Sequence, residues 1–262
     1  MKAGSVFKTV FKVFDAVLTW LIVLLLSSVG ICAAYCVWDD CDVYVKAAFT
    51  ENKIQQYKQE SETFDNEANA TVVDFSELRE INPDIIGWIT IDNTKIDYPL
   101  LQGESNQVYL NRNVFGEAEL AGSIFMDSRN QPDLSDHYNL IYGHFMNGGT
   151  MFGSLAQFKD SDFFKENRSG MLYTENTAYK LEVFAVMVTD SQDLQVFDVD
   201  QINQDPTETI LDYLKENALF LDEKITDQMS ASDIKIAAMS TCSYEFSGAR
   251  TIVFAMMKNM QE

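Results

Sequence analysis

The feature that most constrains this chain is an uncharged run of 23 residues near its N-terminus, from Ala16 to Trp38, rich in Leu, Val and Ile. A helix of about 20 apolar residues crosses the roughly 30 Å hydrocarbon core of a bilayer. A cleaved signal peptide is the alternative, but the apolar segment of such a peptide is usually shorter. We therefore predict an uncleaved transmembrane anchor over residues 16–38.

The charges on either side of this run predict its orientation. Three lysines precede it and three aspartates follow it: Lys2, Lys8, Lys12, Asp39, Asp40 and Asp42. Because positive charge concentrates on the cytoplasmic side of a membrane helix, the sequence predicts a single-pass protein of the cell membrane. Residues 1–15 are then the cytoplasmic N-terminus, and the rest of the chain is extracellular.

Residues 39–74 are predicted to form a helical stalk or linker. Apolar residues recur among polar ones with a spacing that suits a moderately amphipathic helix: Val45, Phe49, Ile54, Tyr57 and Phe64. Such a helix either packs on the following domain or acts as a stalk. That domain is predicted over residues 75–262, and it begins with a short helix, Phe75–Ile81, which Asn82-Pro83 ends.

The domain itself shows a pattern of short strands. Closure into a barrel buries many short strands without leaving exposed edges. We therefore predict a mainly β domain with added helices, folded as a closed eight-stranded β-barrel. The predicted strands are 85–91, 95–101, 122–126, 138–142, 171–174, 180–189, 234–239 and 251–257, with a hairpin turn at 92–94 and helices at 105–111, 153–158, 162–166 and 206–220.

Charge and cysteine content limit the possible functions. The net charge of −21 would repel a phosphate backbone, so the composition argues against a nucleic-acid partner. Four cysteines do not make a disulfide scaffold in a chain of this size, and Cys32, Cys36 and Cys41 cluster near the anchor. Cys242 is then solitary in the folded domain, where it is either an inert packing residue or a nucleophile.

Three residue types in the domain suggest a chemistry. Cys242 ends one predicted strand and Arg250 begins the next, so the two can face each other across a shared cleft. His144 follows another strand and Gly143, which places it at a strand exit, whereas His137 lies in a polar run and is expected to be solvated. Metal-binding and phosphate-binding motifs are absent from the sequence, and we expect neither a metal nor a cofactor.

A cysteine, a histidine and an arginine suffice for acyl transfer. A thiolate attacks a carbonyl, an imidazolium protonates the leaving amine, and a guanidinium stabilises the developing oxyanion. A free thiol with a pKa of about 8.5 is mostly protonated at neutral pH, and nearby cationic groups favour the thiolate.

Several motifs resemble those of class B sortases. Ser240-Thr-Cys-Ser-Tyr-Glu-Phe246 and Ala249-Arg-Thr251 resemble the active-site signature, and Tyr142-Gly-His144 with Met151-Phe-Gly153 matches the same class. Ile96-Asp-Tyr-Pro-Leu-Leu-Gln102 and Gly122-Ser-Ile-Phe-Met-Asp127 also match. The similarity runs from about residue 75 to the C-terminus.

The resemblance implies a sortase-type barrel and a membrane-anchored cysteine transpeptidase of a Gram-positive cell surface. Such enzymes cleave a C-terminal sorting signal of a secreted protein after threonine and form a thioacyl intermediate. They then transfer the acyl group to an amine of the lipid-linked cell-wall precursor or of a pilin lysine. The signal in class B relatives resembles Asn-Pro-x-Thr-x, and the acceptor in this protein stays open between wall anchoring and pilus polymerisation.

The resemblance also assigns roles to individual residues. Cys242 corresponds to the nucleophile, His144 to the general acid/base, and Arg250 to the residue that binds substrate and oxyanion. The substrate-binding positions that it implies are Asn106 and Leu110 on an early helix, Thr209, Tyr213 and Leu214 on the helix before the penultimate strand, and Ser240.

Two other functions fit the same residues. A cysteine protease would hydrolyse peptides and would be indifferent to an added amine. A non-catalytic surface binding module on the same barrel would keep its activity when Cys242 is replaced.

Overall fold

The computed structural model describes residues 3–58, 73–229 and 235–260. It begins with one long helix, α1 (Ala3–Gln55), and the chain divides into two compact units, Met1–Lys46 and Ala47–Glu262. Within α1, the stretch Phe14–Gln55 is a candidate membrane span whose most apolar segment has a mean hydropathy of 2.4 and no buried residues. The predicted anchor therefore lies on a helix of sufficient length and apolarity.

The last turns of α1 belong to the second unit and pack on it. Ile54 is 2% exposed and joins a core cluster with Trp88 and Val114. Lys58 Nζ lies 2.8 Å from both carboxylate oxygens of Asp97. Of the two possibilities predicted for this helix, packing on the domain is therefore the one observed over residues 47–58. Phe64 and the rest of residues 59–72 lie outside the described residues.

The next helix, α2 (Phe75–Ile81), confirms the sequence prediction. Asp74 caps its N-terminus, because its carboxylate accepts hydrogen bonds from the backbone N–H groups of Ser76 and Glu77. The helix ends at Asn82, whose backbone is extended, as expected for a residue before proline. Leu78 points into the same cluster that holds Ile54.

Eight strands close into a barrel, as predicted. Their order around the ring is β5-β1-β2-β3-β4-β8-β9-β6, and β6 pairs with β5 to complete the circle. A ninth strand, β7, adds two residues beside β6. The strands are β1 (Ile85–Ile91), β2 (Asp97–Leu101), β3 (Ile124–Met126), β4 (Tyr138–Tyr142), β5 (Ser169–Tyr173), β6 (Ala178–Asp190), β7 (Phe220–Leu221), β8 (Lys235–Cys242) and β9 (Ala249–Asn259).

The barrel is held by long antiparallel ladders and two parallel pairs. β6 pairs with β9 from Tyr179–Asn259 to Asp190–Ala249, with one bulge between Val183 and Ala185. The pairs β2–β3 and β4–β8 are parallel. Because parallel neighbours end at the same rim, the residues that follow β4 and β8 come together there.

Helices fill the connections between strands. Gly153–Lys159 forms a 3-10 helix where a helix was predicted. The α-helices of this region are α3 (Ser161–Glu166), α4 (Leu194–Phe197), α5 (Val199–Ile202), α6 (Thr207–Asn217) and α7 (Glu223–Met229). α4 to α7 pack on one face of the barrel, where their buried side chains share a core with Tyr138, Phe184 and Phe254.

Two local predictions are wrong. Residues 105–111 form turns instead of a helix, since their backbone groups bond elsewhere: the carbonyl of Tyr109 accepts from the N–H of Ser123, and that of Leu110 faces His144. His137 is not solvated but half-buried, with its Nε2 2.9 Å from the carbonyl oxygen of Ile202.

Candidate active site

A cavity of about 230 Å³ opens at the rim where β4, β8 and β9 meet. Six of the nine residues predicted from the sequence line it. The lining consists of Asn106, Leu110, Phe125, Tyr142, Gly143, His144, Ser240, Thr241, Cys242 and Arg250.

Cys242 and Arg250 face each other through strand pairing. They are directly opposite residues of the antiparallel pair β8–β9. Opposite residues of such a pair project to the same face with Cβ atoms about 5 Å apart. The chain thus turns back between β8 and β9, and the Cys242 thiol and the Arg250 guanidinium lie in one cleft, as the sequence predicted.

His144 reaches the same place through the parallel pair. Tyr142 on β4 is level with Ser240 on β8, and the N–H of Gly143 donates to the carbonyl of Ser240 at 3.1 Å. His144 and Cys242 each lie two residues beyond these partners, so strand alternation brings both to the same face. A Cβ at Gly143 would lie 2.5 Å from the Ile124 side chain, so this position needs glycine.

One contact fixes the orientation of the imidazole. His144 Nε2 lies 2.7 Å from the carbonyl oxygen of Leu110. Because a carbonyl only accepts, this nitrogen carries a proton and donates it, and Nδ1 is the ring nitrogen left for proton exchange. Leu110 was predicted to contact the substrate. Its backbone carbonyl also orients His144, a role that the residue type could not indicate.

The Arg250 guanidinium is held by backbone oxygens. Its Nη1 donates to the carbonyls of Ala249 at 3.0 Å and Gly248 at 3.4 Å. Within the part of the chain that the structure describes, no carboxylate pairs with this side chain. Its positive charge therefore remains available to an anion or to a developing oxyanion in the cavity.

Two hydroxyl groups at the cavity lack a partner within the described ranges. Ser240 Oγ and Thr241 Oγ1 are buried and accept or donate no hydrogen bond there. Buried hydroxyl groups are normally paired. Ser240 lies on the face of β8 that also holds Cys242, so its hydroxyl is suited to bind a polar ligand, whereas the Thr241 side chain alternates to the opposite face. Ser240 was predicted to line the site, whereas Thr241 was not singled out.

Behind the cavity wall lies a buried carboxylate that sequence reasoning did not select. Asp127 is fully buried and accepts hydrogen bonds from Asn106, Tyr142 and Arg129. Burial opposes ionisation, but the bonds from Arg129 outweigh it and hold the pKa of Asp127 below its usual value. Burial and then the Asp127 charge raise the pKa of the Tyr142 phenol. The only available signal was its place at the end of the motif 122–127.

Three predicted substrate-binding residues, Thr209, Tyr213 and Leu214, do not line this cavity. Leu214 is fully buried in the core under α6, and Tyr213 packs beside it while its hydroxyl donates to Asp193 at 2.8 Å. Thr209 lines a separate, smaller depression together with Leu194 and Asp205. The helical spacing predicted α6, on which all three residues lie. Leu214 and Tyr213 pack in the core, and Thr209 lines the second depression.

The loop after Cys242 packs against the segment that follows His144. Tyr244, which is 79% exposed, stacks edge-on against Phe145 at 5.3 Å between ring centres. An ion pair joins Lys159 to Glu245, and this contact lowers the pKa of Glu245 to about 2. These contacts fix residues 243–248 beside the cavity.

The ligand sets of metal sites are not found near this cavity. Across residues 3–58, 73–229 and 235–260, no three His, Cys, Asp or Glu side chains are arranged to hold a metal ion. The chemistry available at the rim is that of a thiol, an imidazole and a guanidinium.

Comparisons with known proteins agree on one family. A sequence profile described as "Sortase domain" matches residues 89–258. A sortase B of Listeria monocytogenes is 34% identical over 169 residues, which are 64% of this chain and 67% of that protein.

Solved structures show the same likeness. A class B sortase of Streptococcus pyogenes involved in pilus biogenesis superposes with a TM-score of 0.64 at 34% identity, covering 71% of this chain and 98% of that one. A substrate complex of Staphylococcus aureus sortase B gives a TM-score of 0.60 at 30% identity, covering 71% and 85%.

Proposed function

The chain belongs to the class B sortases, and we propose that it is a membrane-anchored transpeptidase that cleaves a C-terminal sorting signal and transfers the acyl group to an amine. Cys242 is its nucleophile, His144 its general acid/base, and Arg250 its oxyanion-binding residue. The observation that carries this proposal is the convergence of these three side chains on one cavity at the rim where β4, β8 and β9 meet.

The proposed reaction has two acyl-transfer steps. The Cys242 thiolate attacks the carbonyl carbon of the threonine in the signal, and the oxyanion that forms is stabilised by the Arg250 guanidinium. The C–N bond then breaks, and the leaving amine takes a proton from His144. In the second step an acceptor amine loses a proton to His144 and attacks the thioester carbonyl, the C–S bond breaks, and the Cys242 thiolate is released beside the imidazolium.

The Leu110 carbonyl contributes to this scheme through the imidazole. Because it accepts a hydrogen bond from Nε2, the ring is held in one orientation and in one tautomer when it is neutral. Nδ1 then exchanges the proton in both steps. A carbonyl in this position also stabilises the imidazolium, which is the form that protonates the leaving amine.

The substrate proposed for the cavity is an extended peptide of the form Asn-Pro-x-Thr-x. Asn106, Leu110 and Ser240 line the cavity beside Cys242, and they offer an amide, an apolar side chain and a hydroxyl. The S. aureus relative has been solved with its substrate, which supports a peptide at the corresponding cleft. The acceptor is proposed to be an amine of the lipid-linked cell-wall precursor or of a pilin lysine.

The proposed location follows from the apolar helix. Residues 16–38 would cross the membrane once, residues 1–15 would be cytoplasmic, and the sortase domain would face the outside. The candidate span and its flanking charges support this arrangement. Such an anchor would keep the enzyme where secreted proteins and wall precursor both emerge.

The decisive test is mass spectrometry of the protein after mixing with an Asn-Pro-x-Thr-x peptide. We expect an acyl adduct on Cys242, and its release as a transpeptidation product when oligoglycine or a lysine-bearing peptide is added. Cys242→Ala should form no adduct. If the yield of hydrolysis product does not change with the concentration of the amine, the protein is a cysteine protease. If Cys242→Ala retains its activity, Cys242 is not a catalytic residue.

A further inference from the structure

We propose that Asp127 is a positioning residue of the peptide cleft, which orients the cavity-facing polar groups of Asn106 and Tyr142. The inference rests on the proposed function, because it assigns the cavity to a peptide. It adds a residue that touches neither the reacting atoms nor the substrate but determines which hydrogen-bonding groups the substrate meets.

The carboxylate of Asp127 is shared between the cavity wall and the protein interior. Its Oδ2 accepts from Asn106 Nδ2 at 2.8 Å and from the Tyr142 hydroxyl at 3.0 Å. Arg129 binds both oxygens: its Nε donates to Oδ1 at 2.9 Å and its Nη2 donates to Oδ2 at 2.8 Å. One fully buried group thus connects both cavity residues to a single cation.

The backbone holds Asp127 in place. Its N–H donates to the carbonyl of Leu140 at 2.8 Å, and its own carbonyl accepts from Gln102 Nε2 at 2.9 Å and from the N–H of Asn130 at 3.0 Å. On the outer side, Arg129 Nη2 also donates to the carbonyl of Phe197 at 2.8 Å. The carboxylate is therefore a fixed point, and the side chains that bond to it take their orientation from it.

The orientation of Asn106 follows from its two fixed bonds. Its Nδ2 must face Asp127 because a carboxylate only accepts, and its Oδ1 accepts from the N–H of Ser128 at 2.7 Å. The second hydrogen on Nδ2 is the group left for the cavity. Asn106 therefore offers a donor, which suits a peptide carbonyl.

Tyr142 is oriented in the opposite sense. Its hydroxyl gives its only hydrogen to Asp127, and Arg129 lies near the same oxygen, so toward a ligand this oxygen can act only as an acceptor. The cavity then presents one donor and one acceptor side by side, which matches the alternating C=O and N–H groups of an extended peptide. An uncharged or apolar group at position 127 would leave both orientations unfixed.

Asp127→Asn tests this directly, because it keeps the shape and introduces two donors. With its oxygen in the place of Oδ1, which accepts from the N–H and Nε of Arg129, the new amide has its nitrogen in the place of Oδ2. This nitrogen would face Asn106 with a donor and would turn the Tyr142 hydrogen away from position 127. We expect the KM for an Asn-Pro-x-Thr-x peptide to rise about ten-fold, the value of one hydrogen bond, with kcat changed less than about two-fold. Alkylation of Cys242 by iodoacetamide should stay within about two-fold of wild type, since the thiol is not altered.

Asp222→Asn is the matched control. It makes the same substitution at an aspartate that pairs with an arginine, Arg168, outside the cavity lining, so it should lower the melting temperature without raising KM. In an Asn106→Ala background, Asp127→Asn should raise KM by a smaller factor than it does in the wild type, because one of the two side chains that Asp127 orients is already absent. If Asp127→Asn gives no folded protein, Asp127→Ser makes the same test, since a hydroxyl can rotate but cannot hold both neighbours.

Failure of this inference and failure of the proposed function give different results. A wild-type KM in Asp127→Asn, an equal rise in Asp222→Asn, or full additivity with Asn106→Ala would overturn the positioning role. Absence of any acyl adduct in the wild type would overturn the proposed function instead. In that case the exchange of the Asn106 side-chain amide protons, followed by NMR, still decides the positioning role: slow exchange in wild type and fast exchange in Asp127→Asn support it, and equal exchange refutes it.

Discussion

Replacing Ile54 by alanine should test whether the end of α1 is an integral part of the sortase domain. Ile54 is 2% exposed and packs in the core cluster with Trp88 and Val114. Loss of its buried carbons costs the transfer free energy and leaves a cavity, together about 3 kcal/mol. In a domain of this size the melting temperature should then fall by about 6–12 °C.

The same helix offers its own control. Phe49 lies five residues earlier and is 71% exposed, so Phe49→Ala removes a larger side chain but should change stability by less than about 0.5 kcal/mol. Both variants are measured by thermal unfolding of the detergent-solubilised chain, followed by the fluorescence of its tryptophans, one of which, Trp88, is fully buried. Equal effects of the two substitutions would refute the docked position of the helix.

A reduced activity should accompany the loss of stability. Thr50 Oγ1 donates to the buried Glu119 at 2.7 Å, and the N–H of Glu119 donates to the carbonyl of Asn111, next to Leu110. The helix therefore supports the segment whose carbonyl orients His144. We expect Ile54→Ala to lower kcat of the folded enzyme at temperatures well below its melting point, whereas Phe49→Ala should not.

Three further predictions concern the cleft and its surroundings. Leu214→Ala should cost about 2–5 kcal/mol of stability and leave KM unchanged, whereas Leu110→Ala should raise KM with little loss of stability, as urea unfolding and peptide kinetics would show. Gly143→Ala should cost about 1–3 kcal/mol by the overpacking of its Cβ against neighbouring side chains, and it should reduce acylation because it shifts the adjacent histidine; urea unfolding and adduct formation measure the two effects. The Lys159–Glu245 ion pair lowers the carboxyl pKa from about 4.5 to about 2, so its contribution to stability is complete above pH 4.5 and is lost as the pH falls toward 2. The unfolding curves of wild type and Lys159→Met should therefore converge over that interval, and a constant separation would contradict the reasoning.

The barrel could be predicted because its strands carry strong local signals. β1 and β4 begin and end at the predicted residues, since β-branched and aromatic residues fill them and polar turns flank them. β8 and β9 extend beyond the predicted apolar runs and include Cys242 and Arg250 themselves. Polar residues at a functional rim continue the ladder, and apolar periodicity does not detect them.

The errors have a common physical origin in tertiary hydrogen bonds. Residues 105–111 have a composition compatible with a helix, but their carbonyl groups bond to Ser123 and His144 instead of to residues four positions later. The apolar spacing of α6 predicted a helix with one buried face, yet it could not tell whether that face covers the core or a cleft. Leu214 covers the core.

Asp127 illustrates what a motif alone leaves out. The segment 122–127 was noted for its resemblance to the family, but an aspartate at a strand end is most often a solvated turn residue. Its importance depends on Arg129, two residues further on, and on Asn106 and Tyr142, which are distant in sequence. The register of β3 against β4 brings Tyr142 beside the end of β3.

The place of β9 in the ring has a consequence for how the enzyme matures. β9 follows every other strand in the chain but pairs with β8 on one side and β6 on the other, so the circle stays open until it arrives. A chain emerging N-terminus first would expose two unpaired strand edges and would lack Arg250 until this final insertion. The site that holds Cys242, His144 and Arg250 is therefore complete only when the fold is complete, and a partly synthesised chain lacks it.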